Sequence, residues 1–424
     1  MSRCLIAALL FISAPLAAGE AENALIAAVA LACVEDAGDA AAMAAALPGA
    51  TVLADQPLTM GEASFGWRRD FALGQTAILR VTRLAPWGKL RRIEADYASV
   101  TGGAPRPEAA VIAGPDCRVR DARRLIYDAA GTAEAIEILD AALAPTGVRE
   151  PLNPAVPEGT DPGGVTVALV DSGVNYLLPK IAAALARDAS GRALGYDYWD
   201  LDDRPFDADP ARSPFFPQRH GTRVASVILA EAPGVRLVVY RYPRPDPARW
   251  ADLVADAAAA GARIVNLAMG SNRTSDWQVF AQAARDHGDI LFVVSAGNNG
   301  RDLDRKPVYP AAYAIDNMIV VSSADGFGQP APGSNWGKGT VDILAPGERI
   351  PTTNFHGEPT TGSGSSFAAP RVTALAARLA AAHPDWRAAE LKAALIARSR
   401  MIDGAGPLTT RYGLLDPEND RNDP

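Results

Sequence analysis

Val165-Thr166-Val167-Ala168-Leu169-Val170-Asp171-Ser172-Gly173 is an apolar, β-branched run that ends in a carboxylate and two turn residues. Such a run reads as a strand buried on both faces. Comparable runs recur at Val235 to Tyr240, Arg263 to Leu267, Ile290 to Val294 and Met318 to Val321, with helical patterns such as Trp250 to Ala260 and Trp277 to Asp286 between several of them. Alternation of this kind predicts an α/β fold, a mostly parallel, doubly wound sheet covered by helices on both faces. Ligands of such sheets bind beyond the carboxyl ends of the strands. Asp171, Ala268 to Gly270 and Asn298 each fall just after a strand, so one sheet edge collects them.

Two further stretches carry chemistry-bearing side chains. His220-Gly221-Thr222-Arg223-Val224-Ala225-Ser226 places a histidine at the start of an apolar helical pattern. The other three histidines, His287, His356 and His383, lie in connections or at a helix end and are expected on the surface. Gly364-Ser365-Ser366-Phe367-Ala368-Ala369-Pro370 places a serine where a loop becomes an alanine-rich helix. Unpaired N–H groups and the helix dipole stabilise negative charge there, and proline is tolerated in the first turn. On its own, the stretch is equally readable as a helix cap.

Taken together, the chain order Asp171, His220, Ser366 resembles the subtilisin-like serine peptidases over about Gly164 to Asp416. The resemblance rests on Asp171-Ser172-Gly173, His220-Gly221-Thr222, Asn266-Leu267-Ala268-Met269-Gly270, Ser295-Ala296-Gly297-Asn298, Ala345-Pro346-Gly347 and the serine stretch. It implies a sheet of the subtilisin type and a triad of Ser366 nucleophile, His220 base and Asp171 orienting carboxylate. Ser363 and Ser365 compete for the nucleophile position, and the family pattern places it on Ser366. It also implies Asn298, rather than Asn299, as the side-chain donor to the oxyanion, beside the Ser366 N–H. Leu267, Ala268, Met269, Gly270, Ser295, Ala296 and Gly297 would wall the pocket for the substrate side chain before the scissile bond. No charge occurs in those two segments, so that side chain is expected to be uncharged.

The chemistry stands without the name. A serine hydroxyl needs a neighbouring base to attack a carbonyl, and imidazole titrates near working pH. A carboxylate on the other ring nitrogen fixes its tautomer, and two donors hold the oxyanion.

Departures from the family pattern are Arg223 for a second histidine, Ser226 for glycine, and Ala268, Phe367 and Ala369 for serine, methionine and serine. Tyr240-Arg241-Tyr242-Pro243-Arg244-Pro245-Asp246-Pro247 replaces a glycine-containing segment that pairs with extended substrate, and its three prolines remove three backbone donors. A narrower substrate range is one reading, an ordinary polar loop the other. The acidic loop Asp197, Asp200, Asp202, Asp203, Asp207 and Asp209 offers oxygen ligands for a structural calcium, but lacks an EF-hand pattern, and a solvated loop is the plainer expectation. No cofactor is required by the triad chemistry.

The 424 residues are 48% hydrophobic, with 41 basic against 49 acidic side chains and a net charge of −8. That balance gives no basic face for nucleic acid. Met1-Ser2-Arg3 followed by the apolar Cys4 to Leu16 reads as a signal over 1–19 for secretion or periplasmic export, and no later run is long enough for a transmembrane anchor. Cys33 and Cys117 remain as a candidate disulfide, with two free thiols as the alternative. Residues 20–150 form a small α+β N-terminal domain with an alanine-rich helix, a strand-like Thr76 to Arg83 and a helical pattern near Ala133 to Ala142. A Pro/Gly linker at 151–164 leads to the peptidase domain at 165–416 and a polar tail at 417–424. Relatives commonly carry a prodomain in this position that inhibits the site intramolecularly, and a retained accessory module is the rival reading. The leading function is an exported serine endopeptidase acting on protein or peptide substrates, the alternative a catalytically silent binding scaffold on the same fold.

Overall fold

The computed structural model describes residues 18–34, 39–60, 63–401 and 410–416. Most of the expected signal and all of the polar tail lie outside them. The chain divides into two compact units, one running to Leu152 and including Ser213–Phe216, the other comprising Asn153–Arg212 and the chain from Pro217 onward.

The first unit opens with helices α1 (Ala18–Cys33) and α2 (Ala40–Ala46). They are followed by β1 (Ala50–Met60), β2 (Ala63–Leu73), β3 (Ala77–Leu84), β4 (Arg92–Thr101), β5 (Ala104–Ala113), β6 (Val119–Tyr127), β7 (Ala133–Leu139) and β8 (Pro145–Pro151). The eight strands form one antiparallel sheet in sequence order. Period-two patterning explains the strands: in β3, Ala77, Leu79 and Val81 are buried on one face. That face packs under Leu25, Ala28 and Val29 of α1. Thr101 pairs with Ala104 across Gly102-Gly103, both at positive φ (64° and 83°), the geometry of a two-residue hairpin turn. Cys33 and Cys117 are joined as a disulfide across 84 positions of sequence.

The helical expectation near Ala133 to Ala142 is corrected here. Ala133–Leu139 is strand β7, laddered to β6 and β8, with Ile136 fully buried. Its Ala, Glu and Leu residues favour helix locally, but pairing on both sides overrides that preference.

The second unit contains β9 (Val165–Asp171), α3 (Pro179–Ala184), β10 (Gly195–Asp197), α4 (Gly221–Glu231), β11 (Val235–Arg241), α5 (Trp250–Ala259), β12 (Ile264–Leu267), α6 (Gln278–Asp286), β13 (Leu291–Ser295), β14 (Met318–Ala324), β15 (Ile343–Pro346), β16 (Ile350–Thr353), β17 (Pro359–Gly362), α7 (Ser365–Ala382) and α8 (Ala388–Ala397). Seven strands form a parallel sheet in the order β10-β11-β9-β12-β13-β14-β15. One face carries α5 and α6, whose Leu253, Val254 and Phe280 pack on Val170, Leu267 and Val294. The nucleus of the other is α7, which runs against β12, β13, β14 and β15, with Thr373 Oγ1 donating to buried Asn266 Oδ1 at 2.9 Å. The register Val170–Leu267–Val294 aligns the carboxyl ends of β9, β12 and β13.

Residues 153–164 are not a free tether within this unit. Asp161 accepts from the Arg187 N–H and from Arg236, each at 2.7 Å, and Tyr176 donates to the Pro154 carbonyl at 2.6 Å. No helix among the described residues is long and apolar enough to cross a membrane.

Candidate active site

Asp171 is the last residue of β9, and its buried carboxylate accepts the Ser172 N–H at 2.8 Å. His220 sits at the N-terminus of α4 with Nδ1 2.8 and 2.9 Å from the two Asp171 oxygens. A carboxylate only accepts, so Nδ1 carries the proton and Nε2 is left as the acceptor. The flanking glycines are what let these elements meet. A Cβ on Gly221 would lie 2.0 Å from the Gly173 carbonyl oxygen, and Gly173 itself has φ +94°.

Behind this pair lies Asp207, fully buried and raised in pKa by burial, although hydrogen bonds from Ser172 and Thr222 favour its charge. It accepts from Ser172 Oγ at 2.6 Å, from the His220 N–H at 3.1 Å, and from the Thr222 N–H and hydroxyl at 2.9 and 2.5 Å. Its carboxyl thus meets the N–H groups of His220 and Thr222 at the start of α4. Sequence reading left Asp207 in an acidic loop, thirteen positions from His220 and with nothing to single it out from its neighbours.

Apart from exposed Asp203, the rest of that loop's carboxylates are engaged by protein groups. Arg241, itself buried, donates to Asp197 at 2.9 Å and Asp200 at 2.6 Å, Asp202 takes Arg204, and Asp209 takes the Tyr242 hydroxyl at 2.6 Å. Among the described residues no cluster of His, Cys, Asp and Glu is arranged to hold a metal ion.

The three competing serines are separated by their surroundings. Ser363 is exposed, and its hydroxyl accepts the Arg349 N–H at 2.9 Å. Ser365 is wholly buried, with Oγ bonded to the Gly297 N–H and to Asn298 Oδ1 at 3.0 and 3.1 Å. Ser366 is half-buried, and its Oγ donates to the Ala268 carbonyl over a long 3.4 Å. Asn298 Oδ1 also accepts the Ser365 N–H at 2.9 Å. The amide oxygen is therefore committed, and Nδ2 is the end left to donate elsewhere. Gly364, at φ +112°, is required here, because a Cβ would stand 2.8 Å from Asn298 Oδ1.

Asp171, His220, Ser366 and Ala268 to Gly270 line one cavity of about 760 Å³. The other expected pocket residues are not among its lining. Leu267 is buried in the sheet between Val170 and Val294, Ser295 and Ala296 are buried, and the Ala296 carbonyl accepts from Asn335. Gly297 adjoins Ser365 and Asn335 instead.

Burial presses the His220 imidazolium toward a lower pKa, but the Asp171 charge and hydrogen bond, with Asp207 behind them, more than offset it, and the pKa is raised. Of the other histidines, His356 and His383 are exposed, whereas His287 is half-buried at the end of α6. The departures at 223, 226 and 367 fit one another. Arg223 lies 4.9 Å over the Phe367 ring, Phe367 packs 5.8 Å from the His220 ring, and the Ser226 hydroxyl accepts the Thr353 N–H at 2.9 Å.

Residues 163–415 match the model of the subtilase family. The chain belongs to the subtilase family. It is 30% identical over 272 residues to a thermophilic serine proteinase of Bacillus sp. (strain AK1), covering 60% of this chain and 61% of that one. Thermitase of Thermoactinomyces vulgaris is 28% identical over 278 residues, covering 62% of this subtilase and 89% of thermitase. The match to the Bacillus proteinase thus spans under two thirds of its length. A solved structure described as the structural basis of subtilase cytotoxin SubAB assembly superposes with a TM-score of 0.50 at 23% identity, over 61% of this chain and 89% of that one, a likeness of fold. The Bacillus relative is named as a serine proteinase.

Proposed function

We propose that this subtilase is an exported serine endopeptidase that hydrolyses peptide bonds through an acyl-enzyme formed on Ser366. The observation that carries the reading is the bond from His220 Nδ1 to buried Asp171, which leaves Nε2 as a base in the cavity that Ser366 faces. Ser366 Oγ exchanges its long contact with the Ala268 carbonyl for Nε2, loses its proton to it and attacks the substrate carbonyl. The Ser366 N–H and Asn298 Nδ2 hold the oxyanion, His220 returns its proton to the leaving amine, and water then repeats the sequence on the ester. Ala268 to Gly270 receive the substrate side chain before the scissile bond. The chemistry needs no metal.

Export rests on the basic start and apolar core of residues 1–19 and on the Cys33–Cys117 bond. By its position, the N-terminal unit is an intramolecular inhibitor released by a cut within 151–164.

The test is turnover of a denatured protein by the purified full chain and by Ser366→Ala, with intact masses recorded for both. The wild type releases peptides and shortens itself between the two units, and Ser366→Ala does neither. A wild type that leaves the substrate whole contradicts the peptidase reading. One that digests it while keeping its own full mass points to a retained accessory module.

A further inference from the structure

We infer that Arg244 and Arg212 make this cleft select substrates with acidic side chains on the N-terminal side of the scissile bond, beyond the residue received by Ala268 to Gly270. The inference rests on the serine peptidase reading and names the substrate class for that site. The cavity that holds His220 and Ser366 is also lined by Tyr242, Pro243, Arg244, Arg273, Asp276 and Arg212.

The carboxylates of this cleft are already engaged. Asp171 is held by His220. Buried Asp209 accepts the Tyr242 hydroxyl at 2.6 Å and the Ala211 N–H at 2.8 Å. Asp276 accepts the Ser271 hydroxyl at 2.8 Å and Arg273 Nε at 3.1 Å. The cations are not matched in the same way. Arg273 shares Asp276, whereas Arg212 and Arg244 are exposed and neither makes an ion pair with a carboxylate among the described residues, although the Arg244 charge helps to hold the Asp276 pKa down. The Arg244 guanidinium lies 5.4 Å from the centre of the Tyr242 ring, and Arg244 lines the cleft.

Two further observations assign these arginines to recognition. Pro243, Pro245 and Pro247 line the cleft and have no backbone N–H to offer a substrate, which shifts discrimination onto side chains. The molecule as a whole carries a charge of −8, so its long-range field does not draw in acidic substrate. Charges act over about 8 Å in physiological salt, and only cations within the cleft can hold a carboxylate there. The wall formed by Ala268, Met269 and Gly270 is uncharged, which separates the acidic preference from the position next to the cleaved bond.

Fluorogenic peptides carrying Glu, Ala or Lys at each of the second, third and fourth positions before the cleaved bond test this on the full chain. The kcat/KM ratio of the Glu to the Lys peptide is expected to reach about tenfold for at least one position at low salt and to narrow as salt is added. Arg244→Glu inverts that ratio, and the double change Arg212→Gln with Arg244→Gln removes it. The ratio compares two peptides on one preparation, so a partly unfolded variant does not distort it. A wild type that ignores charge, or prefers Lys at every position, while a fluorophosphonate still labels Ser366, overturns the inference alone. Absence of both turnover and labelling overturns the peptidase reading with it.

Discussion

Asn298 is the residue whose role follows most narrowly from its bonds. Its Oδ1 is pinned by both the N–H and the hydroxyl of Ser365, so only Nδ2 remains for the proposed oxyanion. Asn298→Ala is expected to lower kcat by about 10²- to 10³-fold with little change in KM, measured by steady-state kinetics on a short peptide. His220 supplies a second expectation at this scale. Its pKa is raised above the ordinary value of about 6.5, and the proposed base works only when neutral, so the acid limb of the kcat/KM profile should lie above pH 6.5. The same shift contributes folding stability that is fully present below the unfolded pKa and is lost as pH rises through the folded one. A profile flat from pH 5 to 8 contradicts the assignment. The motif positions were legible as sequence because each is a backbone requirement: Gly221 and Gly173 are small where two chain segments touch. Asp207 was not, because its partners Ser172, His220 and Thr222 converge on it only in the folded chain.

Between elements, α4 and α7 bring His220 and Ser366 to one cavity, and a buried ion pair joins them. Arg371 Nε donates to Glu231 Oε1 at 2.7 Å, with both side chains under a tenth exposed. Glu231→Ala leaves the guanidinium buried without that carboxylate and is expected to lower the unfolding free energy by about 3 kcal/mol in chemical denaturation. A change below 1 kcal/mol would place the weight of the helix contact on apolar packing instead. The alternation of apolar runs and helical patterns was readable in the second unit because its strands are short, continuous and buried on both faces, as in β13, where all five residues are buried. The first unit was harder to read. Its strands are half-buried, and β7 holds Ala, Glu and Leu residues that favour helix in isolation alongside two isoleucines. A signal was present nonetheless, since Gly102-Gly103 between two strand-like runs is a hairpin turn by its residues alone.

The whole molecule is two compact units, each with its own core, and the disulfide belongs to the first. Closing a loop between positions 84 apart stabilises that unit by roughly 4 to 5 kcal/mol in the chain-entropy view. Cys33→Ser with Cys117→Ser is expected to lower the calorimetric transition of the first unit and leave that of the second in place. The central claim is that Ser366, activated by His220 and Asp171, is the nucleophile of a subtilase. Its most direct test is fluorophosphonate labelling of the purified full chain, with the modified residue mapped by peptide mass. The label is expected on Ser366, to rise with pH as His220 loses its proton, to persist in Ser363→Ala and to vanish in Ser366→Ala. An unlabelled wild type, or a label that survives Ser366→Ala, would contradict the account.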